Sequence, residues 1–110
     1  MKFHLDHNII LLVLTTESNY QNAKKLAGKI LEKKLSSCIN FSKISSIYWW
    51  EDKLNEESEM QIYIKVKPED LDQLYNVIKE NHSYDIPEFI CMNTSASDDY
   101  FKWHIDSLDR

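Results

Sequence analysis

Residues 36–67 read SSCINFSKISSIYWWEDKLNEESEMQIYIKVK, and this stretch decides how the rest of the 110-residue chain is arranged. In its second half, polar residues alternate with apolar ones, and the apolar set is Met60, Ile62, Ile64 and Val66. Alternation with a period of two is typical of a strand that buries one face. The sequence therefore predicts a half-buried strand over residues 59–67.

The first half of the stretch carries apolar or aromatic residues on both predicted faces, so it requires cover on two sides. Between the halves lie Glu51 and Asp52, and Asp is one of the few non-glycine residues that tolerate a left-handed turn. We predict a hairpin that closes near Asp52, with arms of about 12–14 residues, or roughly 40–45 Å. A usual strand has about 5–6 residues, so this hairpin should project beyond a small domain.

The projecting end of the hairpin is aromatic, with Tyr48, Trp49 and Trp50 in a row. An exposed edge of this kind is unfavourable in a monomer, because it offers unpaired backbone groups and apolar surface together. The same rings would also suit stacking on a planar ligand. We favour packing between subunits and predict that these three residues form a subunit interface.

Length and composition restrict the class of protein. We expect 110 residues to form one domain over residues 1–110. A net charge of −5 does not favour binding to nucleic acid, which requires clustered cationic surface. The longest apolar run, residues 9–14, is far shorter than the roughly 20 residues needed to cross a membrane. Cys38 and Cys91 are too few for a disulfide framework and no secretory leader is evident, so we expect a cytoplasmic protein.

The hairpin is flanked by two predicted strand and helix pairs. A continuous apolar strand covers residues 8–16, and helix-starting residues at 17–19 open a helix up to Leu35. After the hairpin, Pro68 starts a second helix that should end near His82. A short strand over residues 88–92 follows, and Ser97 then caps a last, aromatic helix.

This order predicts an α+β fold, namely a ferredoxin-like βαββαβ antiparallel sheet with both helices on one face, a long β2–β3 hairpin and an extra C-terminal helix. The second and fourth strands lie at the edges of such a sheet. Because both edges are open, pairing between subunits could close a ring.

Two motifs carry a resemblance to a known family. They are Tyr-Trp-Trp-Glu at residues 48–51 and His-x-Tyr-x-x-Pro-Glu at residues 82–88, supported by matches at residues 14–16, 23–40, 59–65 and 100–103. Together they resemble the CutA divalent-cation tolerance family, whose fold is related to that of the PII signal transducers. Departures from the family pattern include Asp52, where the family usually has glycine, and Ser83, where it usually has proline. The resemblance implies a homotrimer with a role in tolerance of divalent metal ions.

Some members of that family hold copper with a cysteine at the position of Thr15 and with the residues that match His82 and Glu88. The cysteine is missing here, so His82 and Glu88 are the predicted metal ligands, for weak copper(II) binding that is lost in acid as the imidazole is protonated. The alternative is that His82 stabilises the C-terminus of the second helix while Glu88 caps a strand or pairs with a lysine. We expect the loop that carries both residues to lie away from the hairpin tip.

The resemblance therefore implies a homotrimeric protein for divalent metal ion tolerance, with copper as a possible ligand and no other cofactor, and we expect it to be non-enzymatic. No nucleophile motif and no glycine-rich phosphate loop occurs, and Gly28 is the only glycine. The alternative is a PII-like signalling module that binds a small anionic metabolite between subunits and acts through a partner protein.

Overall fold

The computed structural model of the chain describes residues 3–109. Its strands and helices are β1 (Ile9–Glu17), α1 (Tyr20–Glu32), β2 (Ile39–Trp50), β3 (Lys53–Val66), α2 (Leu71–Asn81), β4 (Ile90–Ser95) and α3 (Asp98–Ser107). A short 3-10 turn, Pro68–Asp70, leads into α2. This order confirms the predicted βαββαβ arrangement and the extra C-terminal helix.

The four strands form one antiparallel sheet in the order β2-β3-β1-β4. Strand β1 lies inside the sheet, with β3 on one side and β4 on the other, as its continuous apolar run predicts. Strands β2 and β4 are the edges, which confirms the prediction that the second and fourth strands lie at the edges of the sheet.

The core lies between the sheet and helices α1 and α2. Val13 of β1 pairs with Ile64 of β3, and both side chains are fully buried on the face that the helices cover. The helices contribute Ala23, Leu26, Ile30, Leu74 and Ile78 to the same cluster. Two helices on one face of a four-stranded antiparallel sheet confirm the ferredoxin-like fold.

Helix α1 ends at Glu32 rather than at Leu35, where the sequence pattern placed its end. Lys34 has a φ of 57°, and a left-handed residue stops an α-helix. The turn directs Leu35 into the core, where it is fully buried. Gly28 is exposed, and an added Cβ would meet no atom within 4 Å, so no close approach inside the chain requires glycine there.

Strand β4 runs from Ile90 to Ser95, later than the predicted residues 88–92. The residues before it form the loop, and Phe89 packs edge-on against Tyr75 with ring centroids 5.0 Å apart. The later half of β4 is polar, so its side chains gave no sign of a strand. Its backbone pairs with β1 all the same, and the Thr94 hydroxyl donates to the Ile10 carbonyl at 2.6 Å.

The β2–β3 hairpin has arms of 12 and 14 residues, which confirms its predicted length. It closes at Glu51 and Asp52, whose φ angles are 51° and 62°. Two consecutive residues with positive φ define a type I′ turn, whose twist matches that of the flanking strands. The molecule is 48 Å along its longest axis and 22 Å along its shortest, in keeping with a projecting hairpin.

Helix α3 begins after its predicted N-cap, Ser97, and packs beside the start of β2. Its contact there is His104, a fully buried side chain whose Nδ1 lies 2.5 Å from the Ser37 hydroxyl. Burial lowers the pKa of His104, and the charges of Lys67 and Lys65 lower it further. The last helix is therefore held against the body of the fold by a neutral imidazole.

Replacing Asp52 by glycine should stabilise the hairpin. Asp52 has a φ of 62°, and an L-residue in the left-handed region is disfavoured by roughly 1–2 kcal/mol, whereas glycine is not. We expect the free energy of unfolding to rise by about 0.5–1 kcal/mol, because Asp tolerates this region better than most residues. Urea denaturation at one fixed protein concentration measures the change.

The matched control is Ser45→Gly, in the extended part of β2, which should lower the free energy of unfolding by about 0.5–1 kcal/mol. A loss of stability in Asp52→Gly as large as that in the control would contradict the type I′ turn.

Candidate functional site

The loop of residues 82–89 is fixed to the end of β1 by Glu17. This carboxylate is only 1% exposed, yet it accepts three hydrogen bonds. Its Oε2 accepts from the Ser83 backbone N–H at 3.0 Å, and its Oε1 accepts from the Ser83 hydroxyl and from the Ser18 N–H at 2.9 Å. A buried carboxylate is stable only when donors satisfy it in this way, so Glu17 and Ser83 hold each other in place.

His82 begins this loop, and both of its ring nitrogens are used inside the chain. Nδ1 accepts a hydrogen bond from the Tyr84 backbone N–H at 2.9 Å, so the ring proton lies on Nε2, which donates to the Thr16 carbonyl. The side chain is 0% exposed, and Glu17 Oε2 lies 3.8 Å from Nδ1. His82 is therefore a buried side chain that positions the loop through both of its ring nitrogens.

Glu88, at the other end of the loop, is held by Gln61 of β3. The Gln61 side-chain amide donates to the Thr15 carbonyl at 2.7 Å and to Glu88 Oε2 at 3.0 Å. Glu88 therefore accepts from an amide and not from a lysine, and it stays partly exposed. Within residues 3–109, no hydrogen bond or ion pair joins His82 to Glu88, so the predicted metal pair is not brought together by direct contact.

The residues around Glu88 do not form an enclosed metal centre in this conformation. Among residues 3–109 there is no group of three or more His, Cys, Asp and Glu side chains placed to share one metal ion. Thr15, at the position of the family's occasional cysteine, is fully buried on the helix-covered face, and its hydroxyl has no partner in the described chain. Its neighbour Thr16 faces the opposite side of the sheet and lines a groove that Glu88 also lines.

A groove of about 760 Å³ lies between the hairpin and the loop, and residues 83–88 of the loop line it. On the hairpin side it is lined by Ile44, Tyr48, Trp50, Glu57, Glu59 and Gln61. Ile86 and Pro87 of the loop line the other side. The expectation that this loop lies away from the hairpin tip is therefore wrong, because the Glu17 bonds turn the loop back along β3.

Four carboxylates line the groove, and they make it strongly acidic. They are Glu57, Glu59, Asp85 and Glu88, and no lysine, arginine or histidine of residues 3–109 lines it. Glu59 is 7% exposed and accepts a hydrogen bond from the Tyr84 hydroxyl at 2.7 Å. Burial raises the pKa of Tyr84 well above its ordinary value, and the hydrogen bond to Glu59 and the nearby negative charges raise it further.

The predicted aromatic interface residues do not share one face. Trp49 points away from the groove together with its cross-strand partner Leu54, and these side chains are 73% and 63% exposed. Tyr48 and Trp50 point into the groove. The alternation along β2 thus separates one aromatic cluster into an outer face and a groove face.

Sequence reasoning missed Glu17, Thr16 and the acidic groove. Glu57, Glu59 and Gln61 could have been assigned to one face of β3 from their spacing alone. Their partner, the loop, could not, because its position depends on hydrogen bonds between Glu17 and Ser83, 66 residues apart.

Comparison with known proteins gives a consistent result. Residues 11–107 match the model of a family described as CutA1 divalent ion tolerance protein. The chain is 32% identical to the divalent-cation tolerance protein CutA of Pyrococcus horikoshii. The aligned region has 102 residues and covers 92% of this chain and all of that protein. A crystal structure of CutA1 from the same organism has a TM-score of 0.87 at 30% identity, over 91% of this chain and 99% of the other.

A plant relative bears on localisation. The rice protein named Protein CutA 1, chloroplastic, is 37% identical over 95 residues, which is 84% of this chain but 54% of that protein. The chain thus spans about half the length of that relative. No helix among residues 3–109 combines the length and the apolar character that crossing a membrane requires. Cytoplasmic localisation stays a prediction.

The raised pKa of Tyr84 gives a prediction at alkaline pH. The folded state keeps this proton after the unfolded state has released it, so the stabilisation is complete below a pH of about 10 and is lost as the pH rises above it. Tyr84→Phe should therefore show a shallower fall in the free energy of unfolding than wild type between pH of about 10 and 11.5. At pH 7 the variant should be less stable by about 1 kcal/mol, since Glu59 loses a donor.

Chemical denaturation at several pH values makes the comparison. Tyr75→Phe removes a phenol outside the groove and controls for the loss of one hydroxyl. Equal slopes for wild type and Tyr84→Phe would contradict the contact between Tyr84 and Glu59.

Proposed function

This chain belongs to the CutA1 divalent ion tolerance family, and from that premise we propose that it acts in tolerance of divalent cations as a non-enzymatic protein. The observation that carries the proposal is the family match over residues 11–107, which includes both edges of the groove. The acidic lining supports it, since clustered carboxylates attract cations.

The alternative, a signalling module that binds a small anionic metabolite and acts through a partner protein, is less well supported. Its ligand would lie in clefts between subunits, and a cleft that included this groove would present four carboxylates to the anion, with no lysine, arginine or histidine of residues 3–109 lining the groove to offset them. Repulsion between like charges disfavours that ligand. We therefore place cation tolerance first.

A growth assay tests the proposed function. A bacterial host from which its own member of the family has been deleted would express this chain, or an empty vector, at increasing copper(II), zinc(II) or cobalt(II). We expect the chain to raise the concentration that halves the growth rate for at least one of these metals. Equal inhibition with and without the chain, at confirmed expression, would contradict the proposal.

Direct copper binding is a narrower proposal. Glu88 is the accessible member of the predicted pair, whereas His82 would have to break two hydrogen bonds before a nitrogen became free. We therefore propose that a single chain binds copper(II) weakly and through oxygen. Exposed His4 and His7 near the N-terminus would obscure the result, so both are changed to Ala in the protein used.

Electron paramagnetic resonance of copper(II) added to that His4→Ala, His7→Ala protein identifies the ligand atoms. We expect oxygen ligation that weakens in Glu88→Gln and persists in Glu56→Gln, a strand neighbour that faces away from the groove. A spectrum with hyperfine coupling of copper(II) to nitrogen that is lost in His82→Ala would show that His82 is a ligand, and it would overturn this assignment.

We also propose a homotrimer. Strands β2 and β4 are both edges, and the outer face of the hairpin exposes Trp49 and Leu54. Contacts between two different surfaces of identical subunits close into a ring when the rotation permits. Covering one aromatic side chain contributes about 1.5–3 kcal/mol, repeated at each interface.

Light scattering coupled to gel filtration should give a mass of about three chains. Trp49→Ala should weaken the assembly at micromolar concentration, whereas Trp103→Ala, a partly exposed tryptophan on α3, should not. Trp50→Ala tests the groove face of the same hairpin. A monomeric wild type, or an assembly that is insensitive to Trp49→Ala, would contradict the proposed interface.

A further inference from the structure

We propose that His104 is a pH-sensitive switch, whose protonation releases helix α3 from the body of the fold while the sheet and the other two helices stay folded. This conformational device goes beyond the proposed role in divalent-cation tolerance and does not depend on it. His104 is fully buried within a single chain, so its surroundings are set by the chain itself and not by the surfaces that another subunit covers.

Helix α3 differs from the other two helices in what it buries. Helices α1 and α2 bury aliphatic side chains such as Leu26 and Ile78, whereas His104 is the one buried residue among the ten described residues of α3. Leu108, which follows the helix, is also buried. An ionisable side chain therefore lies where an amphipathic helix usually places an apolar one.

Few side-chain hydrogen bonds hold α3 in place. Within residues 3–109, two such bonds join it to the rest of the chain. Asn8 Nδ2 donates to Asp98 Oδ1 at 2.6 Å, and His104 Nδ1 lies 2.5 Å from the Ser37 hydroxyl. The first bond holds the N-terminus of the helix, so the contact of its C-terminal half with the fold depends on His104 and Leu108.

The hydrogen bonding around His104 suits a neutral ring. Nδ1 has the Ser37 hydroxyl as its partner, but Nε2 is buried and has no hydrogen-bond partner within residues 3–109. Whichever tautomer the neutral ring adopts, the imidazolium carries an N–H on both nitrogens. Protonation would therefore bury a charged Nε2–H without an acceptor, which is strongly unfavourable.

The charges around His104 are also unfavourable for an imidazolium. Within residues 3–109 no ion pair joins His104 to a carboxylate, and Asp106 of the same helix pairs with Lys102 at 2.7 Å. Burial lowers the pKa of His104, and the positive charges of Lys67 and Lys65, at the end of β3, lower it further. A protonated ring would thus be buried near like charges and without a counter-ion.

The direction of the pH effect follows from this lowered pKa. When α3 is released, the imidazole has its ordinary pKa of about 6.5, so it takes up a proton before the docked imidazole does. The docked helix is therefore fully stable above a pH of about 6.5 and loses stability as the pH falls below it. Because one proton is involved, the opening equilibrium changes by at most about tenfold per pH unit.

Hydrogen exchange of the full-length protein, measured by mass spectrometry at pH of about 7.5 and about 5.5, tests the switch. Each rate is divided by the rate of an unstructured chain at the same pH. We expect the relative exchange of residues 101–108 to rise by about three- to tenfold at the lower pH, because one proton favours the open helix. The relative exchange of β1, at the centre of the sheet, should not change.

A matched pair of variants assigns the effect to one imidazole. His104→Gln cannot be protonated in this range and keeps a side-chain amide that can bond with the Ser37 hydroxyl, so its relative exchange should be the same at both pH values. His7→Gln makes the same change at an exposed histidine and should respond as wild type does. Nuclear magnetic resonance of the wild-type imidazoles requires no variant. The protonated form of His104 should arise only as α3 loses its protection.

Equal relative exchange of residues 101–108 at both pH values in wild type would overturn the proposal, and so would a wild-type response in a folded His104→Gln protein. Loss of protection in β1 together with α3 would contradict it, because acid would then unfold the whole domain. A protonated His104 within a protected α3 would contradict it as well. The growth assay with divalent metals is independent of each of these outcomes.

Discussion

The buried carboxylate of Glu17 is the interaction on which the groove depends. It stands at the end of β1, and its three donors come from Ser18 and from Ser83, the second residue of the loop. Removing a carboxylate from water without donors costs several kcal/mol, so the loop cannot leave without exposing or stranding this charge. His82 also fixes the loop, because its ring nitrogens hydrogen-bond with the Thr16 carbonyl and the Tyr84 N–H. As a result, the loop stays beside β3 and forms a wall of the groove.

The second constraint is the alternation of side chains along the hairpin. Because the period of a strand is two, the aromatic residues of β2 are divided between a groove face and an outer face. Tyr48 and Trp50 line the groove, while Trp49 lies on the other side with Leu54. One hairpin therefore presents an acidic groove on one face and exposed apolar side chains on the other.

The fold followed from the sequence because its signals are local and periodic. The hairpin could be predicted from the alternation between Met60 and Val66 and from the turn at Asp52. The apolar run of β1 predicted a strand inside the sheet. The position of β4 was less accurate, since residues such as Thr94 enter the sheet through backbone pairing and leave no apolar pattern. The groove was not predicted, because a polar loop docked through Glu17 has no periodic signature. For His82 the motif gave the residue type and not the hydrogen bonds that both of its ring nitrogens make within the chain.

Hydrogen exchange at the loop amides tests the central claim most directly. Ser83 is exposed, yet its N–H donates to Glu17, and the N–H of Tyr84 donates to His82. If Glu17 fixes the loop, nuclear magnetic resonance should show both amides exchanging at least about a hundredfold more slowly than an unstructured chain, with the neighbouring Asp85 amide exchanging fast. Exchange of Ser83 and Tyr84 at the rate of an unstructured chain would contradict the account, because the loop would then not form a lasting wall of the groove.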